Sequence, residues 1–206
     1  MRRFTRRSAT AAIVLACAAG TLLGRGTRAQ AADLHAPNCT ASSSQVFAPW
    51  LDLGSYSLAP DGGFEQGAAG WQLAGGAAVV SGNEAWDVSG PGTHSLQLPA
   101  GARAWSPPIC IGLLHPDLRM FARNGAFLGV GTLVVSAEIS VGGVTVTLPV
   151  GVVVGGSGYQ PTLPMALLAN LTTPLSGGTG SVRLHLAAVG GAWQVDDVYV
   201  DPFKTN

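Results

Sequence analysis

The sequence is short of charge. Lysine, arginine, aspartate and glutamate make up 11% of its 206 residues, against about a quarter in ordinary soluble domains. With no basic excess it has no electrostatic handle for nucleic acid, and with no acidic block it has no solvating tail. Its hydrophobic fraction of 47% is too high for a disordered chain. Aromatic residues are also few, at 7%. There are three cysteines, Cys17, Cys39 and Cys110, and no C-x-x-C pair, so the spacing of thiol redox and zinc-ribbon motifs is missing. The longest uncharged apolar run, Ala9 to Leu23, falls short of the roughly 20 residues of a membrane-spanning helix.

What charge there is lies unevenly. Arg2, Arg3, Arg6, Arg7, Arg25 and Arg28 flank that apolar run, and Ala29-Gln30-Ala31 follows as a small-residue cleavage site. This order reads as a secretory signal over residues 1–31, arginine- and alanine-rich in a bacterial manner. A lipid-anchored Cys17 is the alternative. With the signal removed, Arg103, Arg119, Arg123, Arg183 and Lys204 face 11 acids, a net charge of −6. The expectation is a secreted, extracellular monomer that contacts neither nucleic acid nor, after cleavage, the membrane. Cys39 and Cys110 then remain as an even pair in an oxidising compartment. A bridge between them closes a loop of about 70 residues, worth about 4 kcal/mol in the chain-entropy model. It would tie an unpatterned segment, residues 32–57, to a domain spanning 58–206. Two free thiols are the alternative.

Past residue 32 the recurring pattern is period two, broken by Gly, Pro or Asn. In 117–123, Leu118, Met120 and Ala122 alternate with Arg119, Phe121 and Arg123. In 133–141, Leu133, Val135, Ala137 and Ile139 alternate with Val134, Ser136, Glu138 and Ser140. Gly142-Gly143 then separates that run from another alternation at 144–148, a hairpin signal. Val182, Leu184 and Leu186 oppose Arg183 and His185. Further strands are expected near 51–58, 71–80, 93–98, 109–113, 163–170 and 192–200. Parallel sheets would need helical crossovers, and no helical period is present. The fold class is therefore all-β, an antiparallel two-sheet β-sandwich of jelly-roll type, with a closed barrel as the alternative.

Three motifs stand in order along this body. They are Asp61-Gly62-Gly63-Phe64-Glu65 with Gly70-Trp71, then Gly92-Thr93-His94-Ser95-Leu96, then Trp193-Gln194-Val195-Asp196-Asp197-Val198-Tyr199-Val200. Over about 58–203 this frame resembles galactose-binding-like jelly rolls, in particular the carbohydrate-binding modules attached to bacterial glycoside hydrolases. The resemblance implies neighbouring first and last strands that share a structural calcium. Glu65 and Asp197 would be its carboxylate ligands and Asp196 a second candidate. Such a site is chemically reasonable, since calcium takes six to eight oxygens from carboxylates and carbonyls. The alternative is a solvated strand end, with Glu65 capping a turn. Gly62-Gly63 lets the backbone turn tightly before Phe64 enters the core.

Sugar-binding members of that family carry aromatic platforms. Trp71 and Trp193 fall in frame motifs and are expected in the core, while Trp86, in Asn83-Glu84-Ala85-Trp86-Asp87, is free to meet a ligand. Trp50, Tyr159 and Phe121 are further ring candidates. The candidate site is the outward face of 117–123. Arg119, Phe121 and Arg123 stand there at spacing two, with Arg183 beside them. Glu138, His185 and Ser136 would complete a polar groove. Arginine hydrogen-bonds hydroxyls and carboxylates, so a glycan or cell-wall polysaccharide, including one bearing an acid group, fits. The alternative is a solvated face of cross-strand ion pairs. There is no G-x-S-x-G, H-E-x-x-H or P-loop. The chain is thus read as a non-catalytic, lectin-like domain. The alternatives are an extracellular structural or adhesion domain and a glycoside hydrolase with an unrecognised carboxylate pair.

Overall fold

The computed structural model describes residues 42–112, 116–126, 129–141, 144–168 and 179–201. The alternating runs are strands. In chain order they are β1 (Ser57–Leu58), β2 (Gln72–Ala74), β3 (Ala78–Ser81), β4 (His94–Leu98), β5 (Arg103–Trp105), β6 (Ile109–Gly112) and β7 (Asp117–Asn124). Then come β8 (Thr132–Val141), β9 (Val144–Val153), β10 (Gln160–Pro161), β11 (Met165–Ala166), β12 (Thr179–Val189) and β13 (Trp193–Asp201). All the pairings are antiparallel. One sheet runs β10-β7-β13-β4-β3, with β1 on β13 and β11 on β7. The other runs β2-β5-β12-β8-β9, with β6 on β12. This is the expected jelly-roll β-sandwich. Leu118 and Met120 of the first sheet meet Val135, Ala137, Leu184 and Leu186 of the second in one core. These inward sets are the ones the alternation assigns.

Trp71 and Trp193 lie in that core, as expected of frame residues. Phe64 is fully buried beside Trp71, with ring centroids 5.1 Å apart. The turn before it needs Gly62, because a β-carbon there would stand 2.7 Å from the Val198 carbonyl oxygen. That close approach joins the first strand region to the last, and Val198 N–H donates to the Gly62 carbonyl at 3.0 Å. β8 and β9 pair in hairpin register, Val141 opposite Val144, about the two glycines, which lie outside the described residues. β5 and β10 had no counterpart among the expected strands. Residues 51–56 are not a strand. A 3-10 turn, Ala48–Trp50, carries the chain over the outer face of the first sheet instead. The signal segment and Cys39 lie outside the described residues, and Cys110 sits on β6.

Candidate functional site

The face that alternation assigns to Arg119, Phe121 and Arg123 exists, but it is not open. Segment 44–56 lies across it. Phe47 and Tyr56 are buried against Phe121 and Tyr199 in a second apolar cluster. The rings pack edge-on or stacked, with Phe47 to Tyr56 at 5.0 Å and Phe47 to Phe121 at 5.7 Å. Phe121 is 0% exposed and Arg119 is 4% exposed. Arg119 Nη1 donates to Asp52 Oδ2 at 2.7 Å, its Nε donates to the Thr162 carbonyl at 2.8 Å, and its guanidinium lies 4.2 Å from the Phe47 ring centroid. Burial works against the Asp52 carboxylate. The Gly54 N–H, Arg119 and the Tyr56 hydroxyl outweigh it and hold its pKa below the ordinary value. Arg123 donates to Gln194 Oε1 and lies over the Tyr159 ring, 5.1 Å from its centroid. Arg183 is not part of this face, because β12 belongs to the other sheet. The four-residue site therefore does not form. Its three arginines are split two and one between the outer faces of the sandwich.

Glu138, His185 and Ser136 do share an outer face, on that other sheet and around a different ring. Register places Gln72, Trp105, His185, Ser136 and Pro149 in one row across β2, β5, β12, β8 and β9. Glu138 and Arg183 stand opposite each other in the next row. Trp105 stacks flat on His185, with centroids 4.6 Å apart and 6° between planes. Its indole N–H donates to Glu138 Oε1 at 3.0 Å. His185 Nδ1 and Ser136 Oγ are 3.2 Å apart. Burial pushes the His185 pKa down against the pull of Glu138, so the imidazole is neutral near pH 7. Arg183 is steered by its Nε–H bond to the Ser106 carbonyl, and Arg103 is exposed at the start of β5. The face thus offers one ring pair, two guanidiniums, a carboxylate, a hydroxyl and an amide. Its charge is formally +1. The Ser136–His185 contact is no nucleophile–base device, since the buried His185 Nε2 has no partner and no acid orients the ring.

The acids expected to share calcium each accept hydrogen bonds of their own. Glu65 accepts from the backbone N–H groups of Thr93 and His94, both at 2.7 Å, and from their side chains. Burial opposes its charge, but these bonds lower its pKa to about 2. It is the turn-capping alternative realised. Asp196 and Asp197 enter the interior at a β-bulge in β13, where Asp197 takes a left-handed φ of 48°. Asp196 accepts from the N–H groups of Glu84 and Asp197. Asp197 Oδ2 accepts from the Ser89 N–H, while its Oδ1 is buried and unpartnered. Burial, together with neighbouring carboxylates, raises Asp196 to about 8 and Asp197 to about 6. Glu84, buried at 2% exposure, completes this acid cluster. The orphaned Asp197 Oδ1 fits a cation. Glu65 stands near enough for its charge to raise Asp197, and among the described residues no group of three or more His, Cys, Asp or Glu is arranged to hold a metal.

Trp86 is 43% exposed. Its ring packs edge-on against Trp50 at 5.5 Å and lies 5.4 Å from Phe121. Trp105 was missed as a platform. Its signal was the three-residue alternation of Arg103-Ala104-Trp105, too short to read without its sheet neighbours.

No family model matches the chain, and no curated protein matches it. Among solved structures it is similar to the tandem CBM22-1–CBM22-2 domain of Paenibacillus barcinonensis Xyn10C, at 19% identity and a TM-score of 0.47 over 74% of this chain. The match spans 46% of that longer protein. It is also similar to the CBM22-1–GH10 modules of Clostridium thermocellum Xyn10B, complexed with xylohexaose. There identity is 15% and the TM-score 0.48, covering 68% of this chain and 27% of that one. A third similarity is to TmCBM61 in complex with β-1,4-galactotriose, at 14% identity and a TM-score of 0.39, over 70% of this chain and 96% of that one.

Proposed function

We propose that the protein is a secreted, non-catalytic carbohydrate-binding domain whose ligand lies on the outer face of the β2-β5-β12-β8-β9 sheet. The observation that carries this reading is Trp105, stacked on neutral His185 and hydrogen-bonded to Glu138, with Arg183, Gln72 and Ser136 on the same face. A sugar ring presents apolar C–H faces and a rim of hydroxyls. The Trp105 ring face turned away from His185 would take the former, and the donors and acceptors around it the latter. The formal charge of +1 favours a neutral or acidic glycan over a basic one. No positioned base and nucleophile accompany this ring, which is why binding rather than hydrolysis is proposed. Calcium is a separate proposal, resting on Asp197 Oδ1, and would serve the fold rather than the ligand.

A glycan array followed by titration calorimetry tests the reading. Wild type should retain neutral or uronate-bearing polysaccharides, and Trp105→Ala should weaken them at least about tenfold, or 1.4 kcal/mol, with little change in melting temperature. Unchanged affinity in Trp105→Ala, or silence toward every glycan, overturns it. Release of reducing ends from a bound glycan would favour the hydrolase alternative.

A further inference from the structure

One charge on the Trp105 face has no counter-charge. Arg103 stands two residues before Trp105 on β5, so both side chains leave the same outer face, about 7 Å apart along the strand. Its register neighbours are Ala74 on β2 and Ala187 on β12, and beyond Ala187 comes Val134 on β8. No acid stands in that row. Arg103 is exposed, and among the described residues it makes no ion pair. The other two charges of the face offset each other. Arg183 stands opposite Glu138 in register, and its Nε donates to the Ser106 carbonyl. Glu138 in turn accepts the Trp105 indole N–H at 3.0 Å. Burial lowers the His185 pKa against the pull of Glu138, and Arg103 adds to the fall, so the field of Arg103 reaches the ring pair. The neighbouring strand β9 brings only Thr147 and Pro149 opposite Glu138 and Ser136. Between Glu138 and Arg183 the sequence has no Asp, Glu, Lys or Arg at all.

We propose that the Trp105 face selects an acidic polysaccharide built of hexuronates, and that Arg103 is the residue that reads the carboxylate. The ring face of Trp105 turned away from His185 takes the C–H face of the pyranose. A hexuronate carries its carboxylate at the rim of that pyranose. A guanidinium one row away meets it with two parallel N–H···O bonds. A neutral hexose offers a hydroxymethyl group at the same position, and a methyl ester offers no charge, so both forgo this contact. Water screens the pair and the arginine is ordered only on binding, so the preference is moderate and fades with salt. This deepens the glycan-binding reading of the same face and rests on it.

Calorimetry at low salt provides the test, with galacturonate, mannuronate and glucuronate oligomers each set against its methyl ester. At least one free acid should bind wild type about fivefold or more tightly than its ester, and the gap should close as salt is raised. Arg103→Gln should remove most of that gap while leaving ester binding within about twofold, and Arg103→Lys should recover part of it. Arg123→Gln removes the same charge from the opposite outer face and should leave the gap within about twofold. Arg103 is exposed, so its variants should melt as wild type does. A preference for none of the three acids, a preference indifferent to Arg103→Gln, or an equal loss in Arg123→Gln overturns the inference. The two readings fail separately. Trp105-dependent binding of neutral chains and esters without any acid preference overturns the uronate inference alone, whereas silence toward all glycans overturns both.

Discussion

Phe47 holds segment 44–56 to the sheet, so Phe47→Ala is the most direct perturbation of that cover. The ring is fully buried and touches Trp50, Tyr56, Phe121 and Tyr199, with centroids 5.0 to 6.2 Å apart. The Arg119 guanidinium lies over it at 4.2 Å. Phe→Ala in a core costs about 3–5 kcal/mol, and each aromatic contact adds about 0.5–1.5 kcal/mol beyond area. This cluster is small and covered by a single segment, which relaxes more readily than a strand. The lower end, about 3 kcal/mol, is the expectation. At about 2–4 °C per kcal/mol for a chain of this size, the melting temperature should fall by about 6–12 °C. Urea melts should give the same loss with an unchanged m-value if the cover stays docked. If it detaches, the native state exposes Trp50, indole fluorescence shifts to the red, and proteases cut within 44–56 before the sandwich unfolds. Detachment separates Trp50 from Trp86, and either outcome leaves binding at Trp105 intact. A loss below about 1 kcal/mol, with no new cleavage and no fluorescence shift, refutes the claim that this ring anchors the segment.

Three other perturbations have definite signs. With a chelator present, Asp196 (about 8) and Asp197 (about 6) hold protons more tightly in the folded chain than in the unfolded one. Their stabilising contribution is complete below about pH 4 and is lost as pH rises through 6 and then 8, so melting temperature should fall from pH 5 to pH 8. A flat profile refutes the assignment. Calcium on Asp197 Oδ1 should restore stability most at pH 8, and an unchanged midpoint there removes Asp197 as a ligand. Gly62→Ala forces a β-carbon against the Val198 carbonyl oxygen and should cost about 1–3 kcal/mol in denaturant melts, as overpacking does. A neutral substitution would mean that the two strands separate freely. A Cys39–Cys110 bridge predicts that iodoacetamide labels neither cysteine until reductant is added, and that reduction lowers stability by up to about 4 kcal/mol. Labelling of the unreduced protein refutes the bridge.

The strands were legible because burial is one-sided. In 133–141 and 181–186 the residues that face the core are the apolar members of a strict alternation, so both strand and face followed from sequence. Alternation says nothing about which sheet a strand joins. Arg119 and Arg183 share a pattern and lie on opposite outer faces, because β7 pairs with β13 while β12 pairs with β8. Nor does it say what covers an outer face. Phe47, Trp50 and Tyr56 come from a stretch with no period, and they reach Phe121 only through a 3-10 turn and a left-handed Leu51. The acidic pair was legible as composition, but its burial depends on a bulge, which inserts a residue without any sequence mark of its own.

The cover is a chemical complement of the sheet and not merely a lid. Arg119 projects from the middle of β7 at 4% exposure, and an unpaired charge at that depth is strongly destabilising, by about 3–5 kcal/mol when a partner is removed. Its carboxylate partner, Asp52, and the ring over which it lies, Phe47, both come from segment 44–56. Residues 44–56 therefore satisfy a charge that the strand could not bury alone. No described segment is laid over the opposite outer face. Arg103 is exposed there, Arg183 is half-buried, and Trp105 stacks on His185. Two of the four arginines stand on each face: Arg119 and Arg123 bond the chain packed around them, whereas Arg103 and Arg183 stand beside Trp105 on the face proposed to meet a ligand.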